Sequence, residues 1–391
     1  MRVLLTGGTG VLSTDIANYA LSIGMEVYLL NRGSKKQFFP PNAKIIIADI
    51  RNVKEVQEKI KDMYFDVVVD FLSYNVEQLK STLSIFNFKC NQFIFISSAT
   101  AYQDANIITE NTPLGNSNWS YAQNKIECEK LLADNYNLYK QKYTIVRPYV
   151  TYGKTRIPFA IIPHDKHWSL ANRILIGKPI LLWDGGKATC TLTNTKDFAV
   201  GIVGLFGNEK AYQNDFHITT DHTLTWREAL LDIGSALGKE PIIADIPSSF
   251  IFKEMPELKE VISGDKGRNM IFDNSKIKSV VPNFKANTTF KEGIRETIQF
   301  YKENDYMRKI DYKWDARIDN LISKYYKKNL PTYIDKNSLT NKVHSPSQTF
   351  KEKIIYTFCR YDFLYAIYNI INLFTRGFKK IMRIIKSKRN K

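Results

Sequence analysis

Short runs of β-branched and aliphatic residues alternate with longer amphipathic stretches through the first part of the chain. The runs at 2–6, 26–30, 44–48, 66–71, 92–97 and 143–147 read as strands. Segments between them, such as 53–62, 75–87 and 119–141, carry apolar residues at helical spacing. This alternation predicts an α/β fold built on a doubly wound parallel sheet. After Pro148 the pattern loses its regularity: Pro158, Pro163 and Pro179 interrupt it before the apolar run 180–183 and the turn Asp184-Gly185-Gly186. A smaller substrate-binding lobe is expected to begin there. The stretch 289–302, TFKEGIRETIQFYK, predicts an amphipathic helix that closes this part. The expected organisation is a sheet domain over 1–150 with strands returning near 193–220, a mainly substrate-binding lobe over 151–303, and a C-terminal extension over 304–391.

The extension differs in kind. Residues 354–375, IIYTFCRYDFLYAIYNIINLFT, are apolar and aromatic, and residues 376–391 hold eight basic residues and no acidic one. The uncharged stretch Phe363 to Thr375 has 13 residues, whereas a spanning helix needs about 20. The sequence therefore predicts a helical, basic tail that either lies on an anionic membrane surface or packs on the body or another subunit. Charge follows the same division. Residues 301–391 hold 21 Lys or Arg against 8 Asp or Glu, and residues 1–300 hold 35 against 31, within a net +17.

A chain of 391 residues with 44% hydrophobic content can bury a large core. With the first strand beginning at Arg2, no leader segment is expected and the body reads as cytoplasmic, with the tail placing it peripherally on the inner face of the cytoplasmic membrane. Cys90, Cys128, Cys190 and Cys359 have no paired spacing and read as buried thiols. His164 and His167 form a close pair without a third ligand nearby, so no metal site is expected.

Candidate chemistry begins in RVLLTGGTGVLSTD, residues 2–15, where a strand meets Gly7, Gly8 and Gly10 before a helical stretch. Such glycines let backbone N–H groups and a helix N-terminus approach a pyrophosphate. Gly7, Thr9, Gly10, Val11 and Leu12 are thus candidate dinucleotide contacts, with Ser13 at the usual third glycine. After the second strand, Asn31 and Arg32, followed by Lys35 and Lys36, stand where an acidic residue would select NAD. A cation there can meet a 2′-phosphate, which tilts the expectation towards NADP over NAD. Asp49 and Ile50 follow the third strand and Phe71 the fourth, all candidates for the same cofactor, Asp49 for the adenine amino group or as a helix cap. FIFISSATAY, residues 93–102, delivers Ser97, Ser98 and Thr100 to the carboxyl end of the sheet, where ligands bind. In WSYAQNKIECEK, residues 119–130, Tyr121 and Lys125 lie four apart on one helix face. An adjacent ammonium favours phenolate, so Tyr121 reads as an acid/base and Lys125 as its partner and a ribose contact, with Ser98 or Thr100 on the substrate oxygen.

Together TGGTG, Asp49-Ile50, SSATAY, Tyr121 to Lys125, RPYVTYG at 147–153, TNTKDFA at 193–199 and TFKEGIRETIQFY resemble the extended short-chain dehydrogenase/reductases, the NAD-dependent epimerase/dehydratase group, over residues 1–302. The resemblance implies a Rossmann-type, dinucleotide-binding domain over 1–150, a smaller lobe for a nucleotide-sugar substrate, hydride transfer at a sugar carbon, and homodimers formed through helices such as 119–141. Sugar 4,6-dehydratases of the group carry an Asp-Glu pair after the catalytic Thr. Here Ala101 and Tyr102 stand there, so SSATAY looks more like the 4-epimerases. The arginine that often grips the sugar-nucleotide phosphates is replaced by Cys190, leaving Arg156, Arg173 and Arg268 as candidates for that charge. The leading expectation is an NAD(P)-dependent nucleotide-sugar epimerase of surface-polysaccharide biosynthesis. An NADPH-dependent keto-sugar reductase uses the same triad. A non-enzymatic RNA binder is the reading from another class, because Asn-Arg-Gly after the second strand resembles RNA-binding chloroplast relatives; nucleic acid is the disfavoured partner, since a pure binder needs no Tyr-Lys pair.

Overall fold

A computed structural model describes residues 1–134, 142–326 and 348–389, from residue 376 as backbone only. The chain forms two compact units, each assembled from three separate stretches: residues 1–160, 186–236 and 257–303 in the first, and 161–185, 237–256 and 304–391 in the second.

Seven strands form the sheet of the first unit: β1 (Arg2–Thr6), β2 (Glu26–Asn31), β3 (Lys44–Ile47), β4 (Phe65–Asp70), β5 (Cys90–Ile96), β6 (Lys142–Pro148) and β7 (Asn214–Ile218). All pairs are parallel, in the order β7-β6-β5-β4-β1-β2-β3. The order reverses beside β1, which makes its carboxyl end the switch point of the sheet. Both faces are covered, as the continuous apolar runs require. On one side Val3, Leu5, Val67, Val69, Ile94 and Ile96 pack with Ile16, Ala17 and Ala20 of α1 (Val11–Ser22) and with Phe198 and Ile202 of α5 (Thr195–Val203). On the other, Leu4, Val68, Phe93 and Phe95 meet Val56, Leu79, Leu83 and Cys128 from α2 (Val53–Lys59), α3 (Val76–Phe86) and α4 (Ser120–Asp134). Neighbouring residues of each strand thus serve opposite cores, the period of two seen in side chains along a strand.

The predicted strands and helices appear within a few residues of their expected limits. The stretch 119–141 is helical from Ser120 to Asp134, and 135–141 lie outside the described residues. The closing helix is α6 (Phe290–Glu303). All four cysteines are buried thiols.

In the second unit, the run 180–183 forms a strand parallel to Ile243–Ile246. It is joined by the helix Trp168–Leu175 and by α7 (Tyr312–Tyr326), α8 (Phe350–Arg360) and α9 (Asp362–Arg389). At its centre Arg173 and Lys178 are both paired with Asp315 and Asp319, all four buried. Two buried cations against two carboxylates make removal of any one member costly.

Candidate active site

The turn after β1 is built around positive φ. Gly7 and Gly8 adopt +94° and +66°, and a Cβ on Gly8 would sit 2.7 Å from a Leu29 methyl in the core. The backbone therefore runs directly across the sheet edge before α1 starts. Ser13 holds that start, because its hydroxyl accepts the Gly10 N–H at 2.9 Å. Ser13 is buried, so the third glycine position is filled by a side chain small enough for close helix–strand packing that also caps the turn.

The other predicted cofactor residues share this edge. Asn31 ends β2; its Oδ1 accepts from Gly33 N, while its Nδ2 is buried without a partner. Arg32 next to it is exposed and acts electrostatically on Asp49 beyond β3. The Asp49 carboxylate is engaged by Arg51, which holds it down to about 2. Its role as a helix cap falls instead to Asn52, whose side chain accepts from Glu55 N. Phe71 follows β4, its N–H bound to Thr6 Oγ1 at 3.0 Å. A glycine turn closed to a Cβ at Gly8 and an orphaned amide donor at the second strand end fit a dinucleotide along this edge.

At the same end of the sheet, two strands from β1, β5 ends in a Ser-rich corner. Ser98 Oγ and Thr100 Oγ1 lie 2.9 Å apart, and Ser98 also caps the short turn Ala99–Ala101. Ser98 is within hydrogen-bonding reach of Tyr121. Ser97 points the other way and binds Glu129, itself locked to the buried Arg147. Asn116 fastens the corner by donating to Thr100 O at 2.7 Å and Gly264 O at 2.6 Å.

Lys125 lies one helical turn beyond Tyr121, its Nζ 5.8 Å from the Tyr121 ring centre. It donates to Ser73 O and Ile96 O, both at 2.7 Å, and lies over the Phe95 ring. Burial lowers its pKa to about 8. The expected depression of the Tyr121 phenol by Lys125 is not found. Burial pushes Tyr121 up to about 12, against the smaller opposing effects of Ser98 and Arg156. Desolvation outweighs the nearby positive charge, so the resting phenol is the acid form.

The three candidate arginines separate. Arg156 acts on Tyr121 and forms no ion pair among the described residues. Arg268 is a structural clamp on Asp104, Tyr102 O and Gly264 O. Arg173 is consumed in the core of the second unit.

Sequence reading missed the turn Ile262–Lys266, a short π-helix. A Cβ on its Gly264 would meet Trp119 at 2.7 Å, so this turn presses on the start of α4. It brings Asp265 close enough to act on Tyr121 and Tyr149, with Asp265 Oδ1 buried and unpartnered. Lys266 pairs with Asp265 and lies over the Tyr149 ring at 4.9 Å. Burial lowers the pKa of both Arg156 and Lys266. A desolvated arginine beside the phenol, with the Asp265–Lys266 pair close to both, favours an anionic or hydroxyl-rich ligand.

Residues 3–218 match the model of the NAD dependent epimerase/dehydratase family. A chloroplast stem-loop binding protein of 41 kDa from Arabidopsis thaliana is 26% identical over 238 residues, 58% of this chain and 60% of that protein. The 2′-dehydrokanamycin reductase of Streptomyces kanamyceticus is 21% identical over 292 residues, 73% of this chain and 80% of the reductase. Among solved structures, the UDP-glucose 4-epimerase of Thermus thermophilus in complex with NAD superposes with a TM-score of 0.63 at 20% identity, covering 78% of this chain and all of the epimerase. With more than half of the chain matched and the glycine turn, Ser-rich corner and Tyr-Lys pair in register on one sheet edge, this chain belongs to the NAD dependent epimerase/dehydratase family.

Proposed function

We propose that the chain epimerises a nucleotide-linked sugar by transient oxidation at one sugar carbon. The observation that carries this reading is the juxtaposition of Ser98, Thr100, Tyr121 and Lys125 with the glycine cradle at one end of the sheet. Residues 7–12, Asn31, Arg32, Ile50 and Phe71 are the ones that would hold the dinucleotide, with Asp49 reaching it only if released from Arg51. A dinucleotide held there would supply the hydride acceptor for the oxidation and the hydride donor for the return.

The chain's own residues manage the proton. Ser98 and Thr100 hold the reacting hydroxyl, and Tyr121 exchanges its proton. Burial keeps the phenol protonated at rest, and a positive charge bound next to it favours phenolate. Lys125 holds a further positive charge beneath the ring. Arg156, with Lys266 behind it, supplies the positive charge for the nucleotide diphosphate that the family's usual arginine, here Cys190, does not. Elimination of water is disfavoured because Ala101 and Tyr102 offer no acid, and the Tyr102 hydroxyl is bound to Arg147. The setting we infer is surface-polysaccharide biosynthesis, in which nucleotide sugars are the glycosyl donors.

Two observations favour reduction of a keto-sugar by NADPH as a second reading. The exposed Arg32 next to the unpartnered Asn31 amide suits a 2′-phosphate, and a protonated Tyr121 is the donor that a carbonyl under reduction needs. The test is incubation with UDP-glucose and UDP-glucuronic acid, following product by chromatography and reduced cofactor by absorbance. Interconversion without cofactor consumption is expected, and Tyr121→Phe should lower its rate about 10²–10⁴-fold while NAD binding persists. Equal rates in Tyr121→Phe contradict the assignment.

A further inference from the structure

The tail is anchored to its own unit by one face and bare on another. Asp362 at the start of α9 is held by Lys324 at 2.5 Å and Asn320 at 2.8 Å. Tyr365 and Tyr368 then pack against the small core around Tyr312, Ala316 and Cys359, under Lys313 and Arg317. Leu364 and Ile367 are half-buried, and the other apolar residues up to Phe374 are exposed. Phe363, Leu373 and Phe374 are 77%, 72% and 76% exposed, and Ile370 and Ile371 are also exposed.

These exposed residues are regularly placed. Phe363, Ile370, Ile371 and Phe374 follow helical spacing on one arc, and the sequence continues it with Phe378, Ile381, Met382 and Ile385. By the same register Arg376, Lys379, Lys380, Arg383 and Lys386 fall on the other arc, Lys388 and Arg389 end the apolar one, and no acidic residue follows Asp362. At 28 residues the helix is about 42 Å long. No helix among the described residues is long and apolar enough to cross a membrane. Such a helix, anchored at one end and split into an apolar and a basic arc, suits a surface that is oily just below an anionic layer.

We propose that α9 is a docking helix for an anionic lipid bilayer, lying in the plane of the interface with the Phe363–Ile370–Phe374 arc among the acyl chains and the cations on phosphate headgroups. A basic tail for nucleic acid needs no apolar stripe, and a packing face for a second copy needs no uniform positive charge along it. Both features together select the lipid.

The test uses the full chain with vesicles of neutral phosphatidylcholine and vesicles containing 30% phosphatidylglycerol, read by co-sedimentation. Partition at least tenfold stronger onto the anionic vesicles, weakened in 0.5 M salt, is expected. Full-chain variants Phe363→Ser/Phe374→Ser and Lys379→Glu/Lys380→Glu should each lose binding at least tenfold, with unchanged melting temperature and turnover, since these residues lie outside the catalytic machinery. Equal partition onto both vesicle types overturns the proposal. So does binding of a stem-loop RNA that survives Phe363→Ser/Phe374→Ser while vesicle binding is absent. A dimer converted to monomer by Phe374→Ser with no affinity for vesicles assigns the face to a second copy instead.

Discussion

Tyr121 and Lys125 sit one helical turn apart, yet burial acts on them in opposite senses. It drives the phenol up to about 12 and the ammonium down to about 8. Lys125 therefore loses its proton as pH rises through about 8 rather than through its usual range, and with it the positive charge under the ring. The alkaline limb of the kcat/KM profile should fall near pH 8, and Lys125→Met should turn over slowly without that limb; a wild-type profile flat to pH 10 contradicts this. Stability has the opposite sign. Between pH 8 and 10.5 the unfolded chain binds the proton that the folded chain has released, so stability rises with pH there, by on the order of 3 kcal/mol for this one group. Residue types were legible here because spacing alone puts residues i and i+4 on one helix face. Their electrostatics were not, since desolvation depends on Phe95, Tyr74 and Trp119, which converge from three different segments. Arg156 could not be distinguished from Arg173 and Arg268 for the same reason: only the fold shows two of them already spent.

At the scale of elements, the glycine turn and α1 form the strongest local signal in the chain. Positive φ at consecutive residues with a core methyl 2.7 Å from the missing Cβ leaves no L-residue a place at Gly8. Gly8→Ala is expected to cost about 2 kcal/mol or more, from backbone strain and overpacking against Leu29, and to weaken NAD binding at least tenfold. Gly7→Ala, whose Cβ would meet Leu72 at an ordinary 3.4 Å, should lose less stability. Denaturant melts and cofactor titration of both variants check the order, and equal stability losses overturn it. Strands β1 to β6 were readable because each is a short apolar run between turn residues. The π-helix at 262–266 was not, because its conformation follows from packing on Trp119 and no residue pattern announces it. The small size of Ser13 is legible in the sequence, but the hydrogen bond its hydroxyl accepts from the Gly10 N–H emerges only from the turn's geometry.

At the scale of the whole molecule, each unit is threaded from three stretches, so that residues 186–236 and 257–303 complete the sheet unit on either side of an excursion to the second. Long-range returns of this kind carry no local signature, whereas the change of composition in the tail was plain. The basic charge collects in the unit that holds α9, while the sheet unit carries the family's chemistry. A recycling epimerase must keep its cofactor through many turnovers, which a reductase has no need to do. The most direct measurement is therefore the identity and stoichiometry of the nucleotide released when the purified full-length chain is denatured, read by chromatography and mass spectrometry. Oxidised NAD or NADP near one per chain is the result expected of a recycling epimerase. A chain that releases no nucleotide and consumes one NADPH per product formed contradicts that account and establishes the keto-sugar reductase in its place.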